Sequence, residues 1–310
     1  MSFSTTFSNV FVLFALVFLG VLLAKCKVLS ADLTGPLSAF IMQVTLPATI
    51  FVSMLMEYQP DLTASSLRLM GFIALFHGAS ALLGFITMRV FRIPMEDRGI
   101  WMLTTIFSSN GSFGYSLALA LWGEEGLFLM AMASVVSSIL LFSVGIRITV
   151  YGRETVRLSL RDIVFSNVNI ALLLGLIVYF LQIPVPEPVT KCLDYLSNMT
   201  TGLSMLVIGL ALSRISLRDA LRNQNAFLLS AMRSIVIPLL TLLVLKLLGN
   251  RIDLNFQRIA LLIAVLPAPS SASIVSEQYH IPSQLGAQVI MISTLMSLIT
   301  IPLFLSLVSG

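Results

Sequence analysis

The sequence predicts an all-α polytopic membrane protein with ten transmembrane helices, and three observations support this fold class. Of the 310 residues, 57% are hydrophobic and only 10% are charged, whereas a soluble domain is about a quarter charged. The mean hydropathy is +1.00. Apolar stretches of about 20 residues, which is the length that crosses a bilayer as a helix, follow one another along the chain, and Gly, Pro or charged residues separate them.

The predicted spans form two sets of five. We count the first apolar run as a permanent span, because it lacks the basic region and the cleavage site of a signal peptide. The first set comprises residues 7–24, 35–56, 67–88, 99–121 and 128–148, and the second comprises 164–182, 191–212, 224–247, 257–276 and 286–308. The sequence thus predicts one five-helix repeat in residues 1–150, a basic linker in 151–163 and a second repeat in 164–310.

The distribution of Lys and Arg predicts the orientation in the membrane. Loops after odd-numbered spans hold twelve of these residues: Lys25, Lys27, Arg89, Arg92, Arg98, Arg147, Arg153, Arg157, Arg161, Arg214, Arg218 and Arg222. Loops after even-numbered spans hold five: Arg68, Lys191, Lys246, Arg251 and Arg258. The richer side should be cytoplasmic. Both termini would then be periplasmic or extracellular, and we expect a multi-pass protein of the bacterial inner (plasma) membrane.

Composition also argues against several partners and cofactors. The pI of 9.3 does not indicate nucleic-acid binding, because the basic residues occur in short clusters between apolar stretches, where they act as topology signals. The two cysteines, Cys26 and Cys192, fall on opposite membrane faces in this topology and cannot pair. We expect no cofactor and no metal site.

The two halves are related by a shift of about 157 residues, which places 67–88 on 224–245 and Asn110 on Pro267. An odd number of helices in each half inverts the second copy relative to the first. The match lies in hydropathy and helix-breaking residues rather than in residue identity. Inverted repeats of this kind are typical of secondary transporters.

Helix-breaking residues interrupt spans four and nine. Span four contains Ser109, Asn110, Gly111 and Ser112, and span nine contains Pro267, Pro269, Ser270 and Ser271. Proline removes a backbone donor and clashes with the preceding turn, and broken half-helices present positive ends that favour an anion. Gly and Pro are common in membrane helices and could be only tolerated here. Since both breaks occur at matching positions, we favour two crossing broken helices that form a binding site.

Span two and a few buried polar residues are further candidates. Gln43, Pro47 and Thr49 form either a kinked packing helix or a direct substrate contact, as does their counterpart at 198–204. Arg233 either donates to carbonyls of a broken helix or balances the charge of a substrate carboxylate. His77 either hydrogen-bonds a neighbour or takes part in proton coupling. Glu277, at the predicted end of span nine, could hold a coupling cation together with Gln278.

These motifs resemble those of the auxin efflux carrier family, which includes plant auxin exporters and bacterial permeases for malonate and other organic acids. The matching segments are 46–48, 109–114, 123–126, 184–188, 203–209, 267–271 and 277–279, so the resemblance covers nearly the whole chain. It implies ten spans in two inverted repeats, as in bile-acid/sodium symporters, with helices four and nine crossing at the site and often a homodimer. The long cytoplasmic loop of the plant members is absent, which favours small carboxylates over auxin.

The predicted function is therefore secondary transport of small organic anions. An inside-negative potential drives anions outward without coupling, at about 2.3 kcal/mol per charge and 100 mV. A sodium- or proton-coupled carboxylate symporter is the alternative. An enzyme is disfavoured because the sequence has no G-x-S-x-G or H-E-x-x-H motif, and a channel would not need inverted halves with paired breaks.

Overall fold

The computed structural model describes residues 3–149, 166–270, 272 and 284–308, and every regular element within them is a helix. The helices of the first half are α1 (Phe3–Lys25), α2 (Thr34–Phe40), α3 (Leu46–Ser53), α4 (Pro60–Val90), α5 (Arg98–Ile106), α6 (Tyr115–Leu140) and α7 (Ile146–Thr149). Those of the second half are α8 (Asn167–Leu181), α9 (Glu187–Leu212), α10 (Leu217–Arg222), α11 (Gln224–Ala231), α12 (Ile237–Leu248), α13 (Leu254–Val265) and α14 (Leu285–Ser306). The predicted linker at 151–163 lies outside the described residues.

Seven helical stretches among the described residues are long and apolar enough to cross a membrane, which confirms a polytopic membrane protein. They are Phe7–Lys25, Ala31–Ser53, Pro60–Val90, Tyr115–Thr149, Glu187–Leu212, Gln224–Leu248 and Leu285–Ser306. The other predicted spans coincide with shorter helices, namely α5, α8 and α13. Helix α6 is interrupted at Gly123, whose φ of 63° and ψ of −150° suit glycine alone, between predicted spans four and five. The count of ten, the repeats and the orientation of the termini stay predictions.

Apolar side chains cover the outside of the molecule as well as its core. Leu75 on α4 and Leu247 on α12 are 76% and 78% exposed, as expected where lipid rather than water surrounds a helix. Helix α13 is the opposite case, since every residue from Ile259 to Val265 is buried. A helix that is apolar on all sides belongs in the interior of the bundle, and its buried end leads into the predicted ninth-span break.

Two glycines bring α1 and α9 into close contact. A Cβ atom on Gly209 would overlap the carbonyl oxygen of Val17 and lie 2.8 Å from the Cα atom of Gly20. A Cβ atom on Gly20 would in turn overlap the carbonyl oxygen of Leu206. Small residues let membrane helices approach backbone to backbone, where van der Waals contact replaces the hydrophobic driving force that lipid removes. This crossing joins the first and second halves of the chain.

The predicted breaker in span two is a π-helical turn rather than a gap. The turn at Ile41–Thr45 connects α2 to α3, and Pro47 follows it. Proline has no N–H to donate to the carbonyl four residues earlier, which belongs to Gln43. The Asn167 side chain at the start of α8 supplies the missing donor, with its Nδ2 atom 3.0 Å from the Gln43 carbonyl oxygen. The turn at Met232–Val236 precedes Pro238 in the same way.

Candidate functional site

The first helix break lies between α5 and α6, where the sequence predicts it. Helix α5 ends at Ile106, Phe107 is extended, and the chain becomes helical again in the π-helical turn Asn110–Gly114. Ser108, Ser109 and Asn110 are 8%, 6% and 8% exposed. The Ser108 hydroxyl donates to Oδ1 of Asn110 at 2.9 Å. This bond positions the Asn110 amide within the break while leaving its Nδ2 donors to other partners.

The second break follows α13. Leu266 leaves the helix with φ −56° and ψ 145°, and Pro267, Ala268 and Pro269 continue as buried, non-helical chain. The N–H group of Ala268 donates to the Ser293 hydroxyl of α14 at 3.0 Å. This hydroxyl replaces an acceptor that an uninterrupted helix would have provided. Ser270 is exposed at the end of the buried segment, and Ser271 lies outside the described residues.

The two breaks contact each other directly. The backbone N–H of Ser109 donates to the carbonyl oxygen of Pro267 at 3.0 Å. A Cβ atom on Gly114 would lie 3.0 Å from Cδ1 of Leu266, so the glycine allows the second break to pack against the first. The breaks predicted in spans four and nine are thus in contact, although Asn110 and Ser109 come from one half of the chain and Pro267 from the other.

Two buried basic side chains hold the carbonyl ends of the interrupted helices. Nδ1 of His77 lies 2.9 Å from the carbonyl oxygen of Ile106, the last residue of α5, and Nε2 lies 2.8 Å from the Ser137 hydroxyl. A carbonyl can only accept, so Nδ1 carries the proton, and a neutral ring then accepts from the serine. Both nitrogens are therefore satisfied by the protein itself. This is the hydrogen-bonding role that the sequence allowed for His77.

Arg233 hydrogen-bonds the carbonyl end of α13, as His77 hydrogen-bonds that of α5. Its side chain is fully buried, Nε donates to the Leu266 carbonyl at 3.1 Å, and Nη2 donates to the Ile263 carbonyl at 2.9 Å. The last carbonyls of a helix lack intrahelical partners, and a cation at that end is also favoured by the helix dipole. The third nitrogen, Nη1, has no hydrogen-bond partner within the described residues.

The span-two candidates lie beside the first break. A Cβ atom on Gly111 would lie 3.9 Å from Sδ of Met42, which places the π-helical turn of span two, Ile41–Thr45, next to Gly111. The Thr49 hydroxyl is within 2.7 Å of the Thr200 hydroxyl and donates to the Thr45 carbonyl at 2.8 Å, so it joins α3 to α9. Pro47 is half-buried. These contacts make Thr49 a helix-packing residue in this conformation.

The remaining candidate residues from the sequence are Gln43, Ser112 and Glu277. The Gln43 side chain is exposed, and its backbone carbonyl serves the contact with Asn167 described above. Ser112 belongs to the π-helical turn of the first break. Glu277 lies outside the described residues. No group of three or more His, Cys, Asp or Glu side chains suited to a metal ion occurs in the part of the chain that the structure describes.

Sequence reasoning missed three polar residues that hydrogen-bond parts of the candidate site. Ser137 bonds His77, Ser293 bonds the backbone at Ala268, and Asn167 bonds the carbonyl at Gln43. Ser137 and Ser293 are separated by 156 positions in the printed sequence, close to the shift that relates the halves. Comparing hydroxyl residues at that shift would have found the first two, whereas Asn167 gives no such signal.

Together these features define a class of protein: a multi-pass helical membrane protein in which two interrupted helices meet at buried polar residues. A sequence model described as "Membrane transport protein" matches residues 5–305. The chain belongs to this family, that of the auxin efflux carriers.

Proteins similar to this chain come from archaea and bacteria. An "Uncharacterized transporter" of Methanothermobacter thermautotrophicus is 28% identical over 98% of this chain and 99% of its own length. An "Uncharacterized transporter" of Methanocaldococcus jannaschii is 26% identical over 86% of this chain and 87% of its own. A Rhizobium meliloti protein named "Putative malonate transporter" is 24% identical over 93% of this chain and 91% of its own.

Proposed function

We propose that this protein is a secondary transporter of small organic anions, namely carboxylates such as malonate or auxin-like acids. Substrate binds where the two helix breaks meet and crosses by alternating access at that point. The observation that carries this proposal is the bond from Ser109 N–H to the Pro267 carbonyl, which places both interruptions at one buried location. Asn110, Gly111 and Ser112 on one side, and Pro267, Pro269, Ser270 and Ser271 on the other, supply the site.

The electrostatics of the described residues favour an anion over a cation. The first N–H groups of a helix lack intrahelical acceptors, and the helix that starts at Asn110 opens its positive end at the contact between the breaks. Arg233 adds a buried positive charge at the end of α13. Among the described residues no aspartate or glutamate is buried. A carboxylate is therefore a better match to this site than a cation.

The relatives narrow the substrate class further. The name of the Rhizobium meliloti protein refers to malonate, a small dicarboxylate. Its identity of 24% extends over almost the whole chain, so the region around both breaks is included. We extend the substrate class, rather than the individual substrate, to this protein.

The finer architecture forms part of the same proposal. We propose ten spans in two inverted repeats, with helices four and nine crossing, both termini outside the bacterial inner membrane, and a homodimer. The carbonyls of Ile106 and Ile263, which accept from His77 and Arg233, are 157 positions apart in the sequence. This is the same shift that superimposes the hydropathy patterns, and it supports a duplicated helix end in each half.

We propose that transport follows the membrane potential without a coupling ion. His77 uses both ring nitrogens in bonds to the protein, which leaves no ring nitrogen for proton exchange in this conformation. The π-helical turn Ile41–Thr45 lies beside Gly111. We propose that Gln43, Pro47 and Thr49 influence the substrate site by setting the position of this turn. Coupling to sodium or protons, with Glu277 as a ligand, is the alternative that the transport assay distinguishes.

The test is uptake of labelled malonate into proteoliposomes under an imposed potential, with and without sodium and a pH gradient. We expect flux that depends on the potential alone, loss of flux in Asn110→Ala, and normal flux in the control Asn225→Ala, an asparagine in the first turn of α11. Flux that requires sodium or a proton gradient would replace the uncoupled mechanism by symport. Absence of flux for malonate and other small carboxylates would overturn the anion proposal.

A further inference from the structure

Three arginines line a cleft at the end of α4 that the transport site does not use. The cleft has a volume of about 380 Å³ and is lined by Met88, Arg89, Arg92 and Arg98. Within the described residues none of the three guanidinium groups forms an ion pair. Arg214, another arginine in a connecting segment, is by contrast paired with Asp32 at 2.7 Å. The cleft therefore brings together three guanidinium groups without a paired carboxylate in the described part of the chain, although Glu96 and Asp97 precede Arg98 in the sequence.

Two of these arginines lie where one helix ends and the next begins. Helix α4 ends in a Schellman motif, in which Arg92 N–H donates to the Arg89 carbonyl and Ile93 N–H donates to the Met88 carbonyl, at 3.2 and 3.1 Å. Arg92 takes the left-handed position with φ 51°, where glycine is the usual residue. Arg98 lies in the first turn of α5, directly after the N-cap residue Asp97, whose carboxylate offsets the positive end of the helix dipole.

Contacts within the protein position two of the three guanidinium groups. Nε of Arg98 donates to the Ile93 carbonyl at 3.0 Å, which leaves its two terminal nitrogens for a ligand. The Arg89 guanidinium lies over the Phe85 ring, 4.7 Å from its centre, so one face is held by a cation–π contact. A bound anion would accept hydrogen bonds from several of these donors at once.

Apolar side chains beside the cleft indicate where that anion comes from. Phe91 and Val90 at the end of α4 are 44% and 66% exposed, and Met95 in the following turn is 77% exposed. In a membrane protein such side chains face acyl chains, and the adjoining basic groups then lie at the depth of lipid headgroups. A soluble anion would not need exposed apolar side chains beside its binding site.

We propose that the cleft formed by Met88, Arg89, Arg92 and Arg98 binds the phosphate group of an anionic phospholipid, whose acyl chains lie along Phe91 and Val90. Arg89 on α4, Arg92 just after it and Arg98 on α5 contact the same phosphate, which joins the end of one helix to the start of the next. Because α5 runs from Arg98 to the first break, the bound lipid fixes the first turn of a helix that leads into the transport site. The lipid site does not depend on which substrate is transported.

The test uses the delipidated full-length protein, with thermal unfolding and native mass spectrometry as readouts. Phosphatidylglycerol, phosphatidylcholine and inorganic phosphate are added separately to the wild type, Arg89→Gln, Arg92→Gly and the control Arg218→Gln, an exposed arginine of α10. We expect phosphatidylglycerol to raise the melting temperature of wild type and control and to remain bound in the spectrometer. The affinity for phosphatidylglycerol should fall about tenfold in Arg89→Gln and Arg92→Gly.

Arg92→Gly also separates lipid binding from folding. Glycine removes the left-handed strain, so the lipid-free variant should melt at or above the wild-type temperature while binding less phosphatidylglycerol. Equal lipid responses in Arg92→Gly and Arg218→Gln would overturn the proposal, because they would show general charge attraction. An equal stabilisation by inorganic phosphate would overturn it as well, since the site would then take a free anion rather than a lipid.

Discussion

Ser109 donates its backbone N–H to the carbonyl oxygen of Pro267 across 3.0 Å, and this bond links two interrupted helices from opposite halves of the chain. Both partners are available because neither helix continues through its break. The bond is also made by backbone atoms, so side-chain changes at 109 leave it in place. A displacement of either half-helix must stretch or break this link, which connects movement of the two halves at the proposed substrate site.

Replacing Arg233 by Gln tests the two roles of this side chain. Gln can satisfy one of the two carbonyls, at Ile263 or Leu266, so we expect a loss of about 1–3 kcal/mol in stability. If the buried charge also balances the substrate, malonate affinity falls about tenfold, equivalent to about 1.4 kcal/mol. Thermal unfolding in detergent and malonate binding measure the two effects.

The matched control for Arg233 is Arg251→Gln, an exposed arginine between α12 and α13. This substitution should change neither the stability of the protein nor its affinity for malonate. A stable Arg233→Gln protein with unchanged malonate affinity would remove the charge from the binding mechanism. Arg233 would then act through the end of α13 alone.

The sequence predicts those parts of the fold and site that depend on local chemistry. Apolar length predicts the membrane-spanning helices, and Pro267 and the segment around Asn110 locate both breaks, because proline and glycine act on the backbone where they stand. The partners of freed polar groups could not be predicted. Asn167 bonds a carbonyl 124 positions away, and Ser109 bonds one more distant still, so only the packed structure reveals these pairs.

The contact of α1 with α9 should be sensitive to one added methyl group. A Cβ atom on Gly209 would overlap backbone atoms of Val17 and Gly20, and backbone cannot move aside as a flexible side chain can. We expect Gly209→Ala to cost about 1–3 kcal/mol. The control in the same helix is Gly202→Ala, since a Cβ atom there meets nothing within 4 Å.

Gly202→Ala should be neutral or slightly stabilising, because alanine favours the helix over glycine. Thermal unfolding of the two variants side by side checks the difference. Similar melting temperatures for Gly209→Ala and the wild type would show that α1 and α9 do not approach as closely as described.

Asn167 and Pro47 should be coupled through the carbonyl of Gln43. Asn167→Ala removes the donor to that carbonyl, and we expect a loss of about 0.5–1.5 kcal/mol. In a Pro47→Ala background the new N–H at position 47 can serve the carbonyl instead, so Asn167→Ala should cost little. A double-mutant cycle of unfolding free energies measures this coupling. Additive effects would mean that Asn167 does not replace the donor that Pro47 lacks.

The central claim, that substrate binds where the breaks meet, can be tested by protecting a single cysteine. Ser270 is exposed at the end of the second break, and the natural cysteines Cys26 and Cys192 are both exposed. Ser270→Cys is placed in a protein with Cys26→Ser and Cys192→Ser. Its reaction with a polar maleimide is then followed with and without malonate. A protein that keeps Cys26 as its single cysteine serves as the control.

We predict that malonate slows labelling of the cysteine at position 270 severalfold and leaves labelling of Cys26 unchanged. Acetamide, which lacks the carboxylate, should have no effect on either. Equal labelling rates at position 270 with and without saturating malonate would contradict a substrate site at the contact between Ser109 and Pro267.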